Sequence, residues 1–313
     1  MSEDASMSEG ASMSEGASMS EGASMSEGAT ARADEAAATD SPEGTDETQS
    51  PDSPQQTATA GASASDARAE PEVESVLVAG ASGGTGRHLL GVLAETDLAV
   101  RALTTSPEKR DELRELGADE VVVGDLLEDG AAARAVEDGR DGGSVPGPVD
   151  AVLCAVGSTV TQVLLADRLV DGPGVVNLAR ASAHAGVDRF VFQSAIGVGN
   201  SRERAPLPYR LPISRTLEAK GRAEDVLREL DLVHTIVRPG KLTNGPERGD
   251  TLVAEGGDTV FGMVSRADVA RLMVAALGTP GAENRTFEVV SDRWTWGEQT
   301  GLVEIEWVEL AEL

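Results

Sequence analysis

The chain has 313 residues and a formal net charge of −28, with 54 acidic residues against 26 basic ones. So strong an acidic excess disfavours binding to nucleic acid or to an anionic membrane surface. Its single cysteine, Cys154, excludes an intramolecular disulfide, and no apolar run approaches the roughly 18 residues of a membrane span.

Residues 1–72 differ sharply in composition from the rest. They contain no Trp, Tyr, Phe, Ile, Leu or Val, and they hold 16 acidic residues against two arginines. The first 30 residues are five copies of a hexamer of the MSEGAS type. Because such a segment cannot bury enough apolar surface to offset the entropy of ordering, we predict a disordered acidic tail over 1–72. Residues 73–313 are long enough for one folded domain.

Charge and cysteine usage also bear on the setting of the protein. The chain has only three lysines, Lys109, Lys220 and Lys241, against 23 arginines. A lysine-poor, acidic surface resembles that of proteins from high-salt cytoplasm, where screening removes most of the self-repulsion. The acidic N-terminus lacks the apolar core of a secretion signal, so we expect a cytoplasmic protein. Cys154 lies in an apolar run and is expected to be a small core residue.

Strand-like and helix-like segments alternate from Val73 onward. We predict strands at 76–79, 99–103, 120–123, 151–155, 189–193, 233–237 and 287–290. Helices are predicted at 84–95, 107–116, 131–137, 175–184, 214–230 and 266–277, the fifth capped by Ser214 and the last amphipathic. Short Val-rich strands are typical of a parallel sheet buried on both faces, so the pattern predicts a doubly wound α/β, or Rossmann, fold.

Four less regular segments complete the chain. Two loops are predicted, a Gly- and Pro-rich one at 140–148 and a Pro-rich one at 200–212. Val253 and Val260 flank a Gly-Gly pair and suggest a hairpin. The alternating residues 302–308 suggest a last edge strand.

A glycine-rich stretch follows the first predicted strand. Gly80, Gly83 and Gly86 form the pattern G-x-x-G-x-x-G, with leucines at helical spacing after it. This spacing suits a turn in which the pyrophosphate of a dinucleotide approaches the backbone and rests on a helix N-terminus. The sequence therefore predicts a dinucleotide site, and a tight turn without a ligand is the alternative.

The end of the second predicted strand bears on the choice between NAD and NADP. An NAD site favours an acidic residue about 20 positions after the glycines, where it binds the ribose 2′-hydroxyl. The chain has no carboxylate there and presents hydroxyl and cationic side chains instead: Thr104, Thr105, Ser106, Lys109 and Arg110. These groups favour a 2′-phosphate, so we expect NADP, with NAD as the alternative. The hydroxyl residues also suit a simple helix cap.

Two further strand ends suit parts of a dinucleotide. Asp125 could accept a hydrogen bond from the adenine amino group while Leu126 packs on the ring, or Asp125 could simply cap the following turn. The small residues around Gly157 would let the nicotinamide half lie against the backbone. In this fold class, ligands bind beyond the carboxyl ends of the strands.

Seven motifs in order along the chain carry a resemblance to a known family: GASGGTG, GDL, VDGPGVVNL, DRFVFQSA, LEAKGRAEDVLRE, TIVRPGKLT and SRADVARLMVAAL. Over residues 75–291 the chain resembles the atypical short-chain dehydrogenase/reductases. Within these it is most similar to the NAD(P)H-binding, NmrA-like group that includes biliverdin reductase B-type flavin reductases.

The resemblance implies roles for the strand ends. The pyrophosphate would be held by the glycine-rich turn: Gly80, Ser82, Gly83, Gly84, Thr85 and Gly86. The adenine would meet Asp125 and Leu126, and the nicotinamide ribose would be flanked by Ala155, Val156 and Gly157. The serine and lysine of the catalytic set, both also contacting the cofactor, would be Ser194 and Lys220. The nicotinamide would be bordered by Pro239 and Gly240.

The chain departs from this family at two positions. The family's catalytic tyrosine lies four residues before the lysine, where this chain has Thr216, whose hydroxyl is too weakly acidic for a general acid. The only tyrosine, Tyr209, lies in the Pro-rich loop. The arginine that NADP-binding members often carry after the second strand is Thr105 here.

Three functions therefore compete. The first is an NAD(P)H-dependent oxidoreductase that passes hydride to a flavin, quinone or similar small acceptor, which can take its proton from solvent. The second is a dinucleotide-binding sensor or assembly factor without turnover, acting on a protein partner. A nucleotide-sugar epimerase is less favoured, because it depends on the Tyr-Lys pair and usually on a larger C-terminal domain. We expect a monomer or homodimer that binds neither nucleic acid nor a membrane, and we expect no bound metal ion.

Overall fold

The structure is a computed structural model that describes residues 73–137, 144–145, 147–257 and 259–313. The predicted acidic tail, residues 1–72, lies outside the described residues, as does part of the predicted loop 140–148. Over the described residues, no helix combines the length and the apolar composition needed to cross a membrane.

Strands and helices alternate through most of the described chain. The strands are β1 (Ser75–Ala79), β2 (Ala99–Thr104), β3 (Glu120–Val123), β4 (Ala151–Cys154), β5 (Arg189–Gln193), β6 (Val233–Pro239), β7 (Lys241–Thr243), β8 (Thr251–Glu255), β9 (Met263–Ser265) and β10 (Arg285–Ser291). The helices are α1 (Gly84–Leu93), α2 (Arg110–Glu115), α3 (Ala131–Glu137), α4 (Val160–Leu165), α5 (Val175–Ala185), α6 (Leu207–Arg210), α7 (Ser214–Glu229) and α8 (Arg266–Ala275).

Eight strands form one sheet in the order β3-β2-β1-β4-β5-β6-β10-β8. All neighbours are parallel except β8, which runs antiparallel to β10. The chain builds outward from β1 in one direction and from β4 in the other, so the strand order reverses between these two strands. In open α/β sheets, the crevice at such a reversal binds ligands. The fold is thus the predicted doubly wound, Rossmann-type α/β fold.

Successive residues of β1 face two separate hydrophobic cores. Val76 and Val78 pack with residues of α1, α2 and α8, whereas Leu77 and Ala79 pack with residues of α3, α5 and α7. All four side chains are fully buried. The sheet is therefore covered by helices on both faces, as its Val-rich strands predict.

The predicted strands and helices of the sheet region are confirmed within two residues at each end, except at the start of the second helix. The second predicted helix starts as a 3₁₀ turn, Pro107–Lys109, before α2. The structure adds short elements that the periodicity does not predict, among them α4 and the two-stranded parallel sheet of β7 and β9. The Pro-rich segment 200–212 is also partly helical, because α6 and adjoining 3₁₀ turns occupy it.

Two predictions in the C-terminal part are wrong. Val253 and Val260 do not form a hairpin, because β8 pairs with β10, placing Val253 opposite Val289, and Val260 packs in a separate apolar cluster. Residues 302–308 do not form an edge strand. Leu302 makes a single bridge to Ala254, and the chain then leaves the sheet.

Two helix details also differ from expectation. Ser214 does not cap α7, because the helical turn Leu211–Ile213 runs directly into it and leaves no free N-terminus at that serine. The last predicted helix, α8, is buried around most of its circumference, with eight of its ten residues buried. It packs against α1 and the sheet, so it does not present the polar face expected of an amphipathic helix.

Candidate functional site

The glycine-rich turn joins β1 to α1, and two of its glycines are sterically required. Gly80 has a φ of +81°, a left-handed conformation that favours glycine, and a Cβ there would lie 2.9 Å from the carbonyl oxygen of Ala155. A Cβ on Gly86 would overlap the carbonyl oxygen of Gly80 and lie 2.7 Å from the Cα of Ala81. The turn therefore brings the start of α1 close against the end of β1, as dinucleotide sites require.

The N-terminus of α1 suits an anion. Its first turn contains no acidic residue, and Gly83 and Gly84 are exposed there, with Thr85 buried behind them. The first N–H groups of a helix have no partner within it, and the helix dipole favours negative charge at this end. A pyrophosphate therefore suits this helix N-terminus, and a side chain at Gly80 or Gly86 would disrupt the turn that forms it. The residues predicted to hold the pyrophosphate are brought together in this one turn.

Two arginines lie beside this turn, and the sequence motifs predict a role for neither. Arg87 donates from Nε to the carbonyl oxygen of Ser82 at 3.2 Å and forms an ion pair with Glu112 of α2. Arg266 packs against Gly84 and donates to the side chain of Asn244 at 2.6 Å. A signal for Arg87 was available, because it directly follows the third glycine of the motif.

The hydroxyl residues at the end of β2 have different surroundings. Thr104 is buried, donates to the hydroxyl of Ser82 at 3.0 Å and accepts the backbone N–H of Ser106 at 3.1 Å, so it braces the glycine-rich turn. The Ser106 side chain makes no capping bond to the turn that follows. Thr105 is exposed. Lys109 is half-buried and Arg110 is exposed at the start of α2.

The predicted adenine residues are tied into the loop after β3. The carboxylate of Asp125 accepts the backbone N–H of Leu127 at 2.9 Å, which is the turn-capping contact left open by the sequence. Leu126 is buried in the core, and its carbonyl oxygen accepts a hydrogen bond from the Asn177 side chain at 2.8 Å. The adenine role of Asp125 and Leu126 remains a prediction.

The end of β4 meets Lys220 of α7. The buried Lys220 ammonium donates to the carbonyl oxygen of Gln193 at 2.9 Å and lies 3.4 Å from that of Val156. It also lies 5.0 Å from the ring centroid of Phe192. Lys220 therefore bridges the ends of β4 and β5, next to the predicted nicotinamide segment 155–157, where Ala155 is half-buried and Gly157 exposed.

A buried carboxylate that the sequence motifs do not single out stands behind this lysine. Asp171 lies in a wide helical turn, Val170–Gly174, that leads into α5. One of its oxygens accepts the backbone N–H of Ser158 at 2.8 Å. The other lies 3.6 Å from the Lys220 ammonium and accepts no hydrogen bond from the residues that the structure describes. The signal in the sequence is a lone acidic residue in the otherwise apolar and glycine-rich stretch VDGPGVVNL.

Ser194, predicted as the catalytic serine, belongs to a buried ionic cluster. Its hydroxyl donates to Glu224 at 2.5 Å, and Arg238 donates to both oxygens of the same carboxylate, at 2.9 and 2.5 Å. Burial raises the pKa of Glu224, but hydrogen bonds from Arg238, Ser194 and Arg228 and the charge of Arg238 outweigh it, so this pKa lies below its usual value. The Ser194 proton is thus already engaged within the protein.

This cluster has a sequence signal of its own. Leu217, Lys220, Glu224 and Leu227 follow one another at helical spacing, and all four are buried on one face of α7. Two charged residues in an apolar stripe indicate a buried polar site. The family resemblance assigns a role to Lys220 but none to Glu224.

The described chain places no activated tyrosine beside this lysine. Thr216 is half-buried one turn before Lys220, at the position of the family's tyrosine. Tyr209 lies in α6 and packs edge-on against Phe261, with ring centroids 5.3 Å apart. Burial raises the pKa of Tyr209 above its usual value, whereas a neighbouring cation that activates a tyrosine lowers it. Tyr209 is therefore a weaker acid than a free tyrosine.

The end of β6 forms a wall next to the end of β5. Pro239 and Gly240 are buried, and a Cβ on Gly240 would overlap the carbonyl oxygen of Gly262. The carbonyl oxygen of Pro239 accepts the backbone N–H of Ile196 at 3.0 Å, which links this wall to the segment after β5. The role of Pro239 and Gly240 beside the nicotinamide remains a prediction.

Cys154 provides no reactive thiol at the site. It is fully buried at the end of β4, and burial raises the pKa of its thiol to about 11. In the part of the chain that the structure describes, no group of three or more His, Cys, Asp or Glu side chains is arranged to hold a metal ion.

The reversed strand order and the glycine-rich turn at its crevice define a dinucleotide-binding protein of the Rossmann type. Residues 80–280, more than half of the chain, match the family model described as NAD(P)H-binding. The chain therefore belongs to this NAD(P)H-binding family.

The chain is also similar to relatives with different names. The chain is 30% identical over 220 residues to the uncharacterized sugar epimerase YhfK of Bacillus subtilis, covering 68% of this chain and 92% of YhfK. It is 28% identical over 230 residues to the photosystem II assembly factor Ycf39 of Synechocystis, covering 71% of this chain and 64% of Ycf39.

Solved structures share the fold. A Bacillus halodurans protein named for NAD-dependent epimerases and dehydratases is 28% identical, with a TM-score of 0.58, covering 72% of this chain and 95% of that one. ChuY, an anaerobillin reductase of Escherichia coli, is 20% identical, with a TM-score of 0.59 and coverage of 70% and 97%. A Veillonella parvula short-chain dehydrogenase/reductase in complex with NADP is 17% identical, with a TM-score of 0.53 and coverage of 73% and 100%.

Proposed function

We propose that this protein is a cytoplasmic NADP(H)-preferring oxidoreductase that passes hydride to a flavin, a quinone or a similar small acceptor. The observation that carries the proposal is the buried Lys220 at the crevice of the glycine-rich turn, without an activated tyrosine beside it. The lysine ammonium can donate hydrogen bonds to the hydroxyls of a nicotinamide ribose. The lack of a side-chain proton donor limits the acceptor to one that does not need such a donor.

Each part of the crevice has a task in this proposal. The start of α1 holds the pyrophosphate through backbone N–H groups, and Lys220 donates to the ribose hydroxyls. The carboxylate of Asp171, 3.6 Å from the Lys220 ammonium, keeps this buried cation compensated. Bound nicotinamide would supply the hydride, and the walls formed by residues 155–157 and by Gly240 would orient its ring.

The acceptor class follows from where the proton comes from. Reduction of a carbonyl group needs a proton donor at the developing oxyanion, which is the usual task of the family's tyrosine. Thr216 is too weak an acid for this task, and burial raises the pKa of Tyr209. A flavin or quinone that receives a hydride can take its proton from solvent, so it needs no side-chain acid. The same deficit argues against the epimerase activity that the name of the relative YhfK suggests.

A second candidate is a dinucleotide-binding sensor or assembly factor without turnover. Thr216 favours it, as does the Ser194 hydroxyl, which is engaged by Glu224. Similarity to Ycf39, which is named as an assembly factor, points the same way. Such a protein would act as a monomer or homodimer through a protein partner and not through a small-molecule acceptor.

Turnover measurements separate the two candidates. Purified protein at high salt is mixed with NADPH or NADH and with FMN, riboflavin or a soluble quinone, and nucleotide oxidation is followed by absorbance. The oxidoreductase proposal predicts acceptor-dependent oxidation that Lys220→Met strongly reduces. Binding of the nucleotide with no oxidation by any acceptor would overturn it in favour of the sensor.

A further inference from the structure

Arg87 occupies a distinctive place between the glycine-rich turn and α2. Its Nε donates to the carbonyl oxygen of Ser82 at 3.2 Å, and the Ser82 hydroxyl lies 3.0 Å from the hydroxyl of Thr104. Thr104 is the last residue of β2. The guanidinium, the turn and the end of β2 are therefore immediate neighbours.

This place matters because of how a dinucleotide lies on a doubly wound sheet. With the pyrophosphate at the start of α1, the adenosine ribose lies at the end of the second strand, and its 2′ position is where NAD and NADP differ. A 2′-phosphate brings further negative charge and several strong acceptor oxygens. A guanidinium meets such a group with paired, charge-assisted hydrogen bonds.

The surroundings of Arg87 leave it free to make that contact. Its carboxylate partner, Glu112, is 41% exposed, and the Arg87 side chain is 38% exposed. An ion pair this open to solvent contributes little, so the guanidinium can exchange one anionic partner for another at small cost. Thr105, exposed directly after β2, adds a hydroxyl donor at the same strand end. The sequence alone points instead to Lys109 and Arg110, and neither has a hydrogen bond to the turn among the contacts of the described residues.

We propose that Arg87 selects NADP(H) over NAD(H) by leaving Glu112 and pairing with the 2′-phosphate of the adenosine ribose. This inference rests on the dinucleotide-binding part of the proposed function and is independent of whether the protein turns over. It assigns the cofactor preference to the first turn of α1, whereas the related NADP-binding proteins often use an arginine after the second strand, where this chain has Thr105.

Equilibrium binding of paired ligands tests the assignment. Dissociation constants are measured by titration calorimetry for NADPH and NADH, and for the fragments 2′,5′-ADP and 5′-AMP, which differ only in the 2′-phosphate. Arg87→Leu is compared with wild type and with Arg114→Leu. Arg114 is an exposed arginine on α2 whose carboxylate partner is Asp111, so its loss removes the same charge from the same region. Glu112→Gln removes the competing carboxylate.

The expected pattern is specific to the phosphorylated ligands. Arg87→Leu should weaken NADPH and 2′,5′-ADP about tenfold or more, which corresponds to one lost charge-assisted contact. The affinity of Arg87→Leu for NADH should stay within about twofold of the wild-type value. The affinities of Arg114→Leu for all four ligands should also stay within about twofold of wild type. Glu112→Gln should bind NADPH at least as tightly as wild type, because the guanidinium no longer has to leave a carboxylate.

Three other results would overturn the inference in distinguishable ways. If Arg87→Leu keeps the wild-type preference, or loses NADH and NADPH equally, Arg87 does not select the cofactor although the proposed function stands. If wild type itself binds NADH as tightly as NADPH, there is no selection to assign. If wild type binds neither nucleotide, both the inference and the proposed function are wrong.

Discussion

Replacing Gly86 by alanine should damage both folding and nucleotide binding. The added Cβ would overlap the carbonyl oxygen of Gly80 and lie 2.7 Å from the Cα of Ala81. Both are backbone atoms, so neither can turn aside as the end of a side chain could. Relief requires α1 to move away from the end of β1, which opens the turn that would hold the pyrophosphate.

The magnitude follows from the cost of overpacking a tight interior. Inserted atoms that force a backbone shift typically cost about 1–3 kcal/mol, and we expect the upper part of that range for Gly86→Ala. Gly91 provides a matched control in the same helix, because a Cβ there meets no atom of the described residues within 4 Å. Gly91→Ala should stabilise the protein by about 0.5–1 kcal/mol through helix propensity alone.

Urea unfolding followed by circular dichroism, together with NADPH titration of the folded proteins, measures both effects. We expect Gly86→Ala to lower the free energy of unfolding and to abolish or greatly weaken NADPH binding. Gly91→Ala should bind NADPH as wild type does. If Gly86→Ala binds NADPH with wild-type affinity, the turn is not the pyrophosphate site and the steric argument fails.

Three further outcomes are expected. Because the pKa of Glu224 is lowered in the folded state, its stabilising contribution is fully present above its unfolded-state pKa of about 4.5 and is lost as the pH falls through the folded-state value. Glu224→Gln should therefore flatten the fall of the free energy of unfolding in acid, as measured by urea unfolding, and an unchanged pH dependence would contradict this. Asp171→Ala leaves the Lys220 ammonium buried without a counter-charge and should lower the free energy of unfolding in urea by about 3 kcal/mol or more. Adding Lys220→Met should restore part of this loss. If Asp171→Ala leaves the free energy of unfolding unchanged, the Asp171–Lys220 ion pair does not stabilise the fold. The Cys154 thiol, with its pKa raised to about 11, should react with a thiol reagent at pH 8 only after unfolding, and rapid labelling of the native protein would show that the end of β4 is open.

The sheet could be predicted from the sequence because its strands are short, Val-rich and separated by helices. The β1 residues Val76 and Leu77 face different cores, so both must be apolar. The result is an unbroken apolar run that is easily recognised in the sequence. The C-terminal part is different. Leu302 and Val303 have the composition of an edge strand, but in the described part of the chain Leu302 forms an isolated bridge to Ala254 and Val303 donates one hydrogen bond to Val253. The chain then turns away to pack Trp307 on Phe287.

The candidate site could be predicted only in part. Glycine spacing identifies the turn, since Gly80 and Gly86 meet demands that only glycine satisfies. Asp171 and Glu224 are polar groups buried by tertiary packing, and Arg87 depends on how α1 lies against α2. Such contacts join elements far apart in the chain, so local patterns do not reveal them.

Native mass spectrometry of the purified protein with NADPH or NADH is the sharpest test of dinucleotide binding, because it detects a bound dinucleotide whether or not turnover occurs. We predict a mass increase of one NADPH per chain for wild type and none for Gly86→Ala. The absence of any bound dinucleotide on folded wild-type protein, at concentrations that saturate related dehydrogenases, would contradict it.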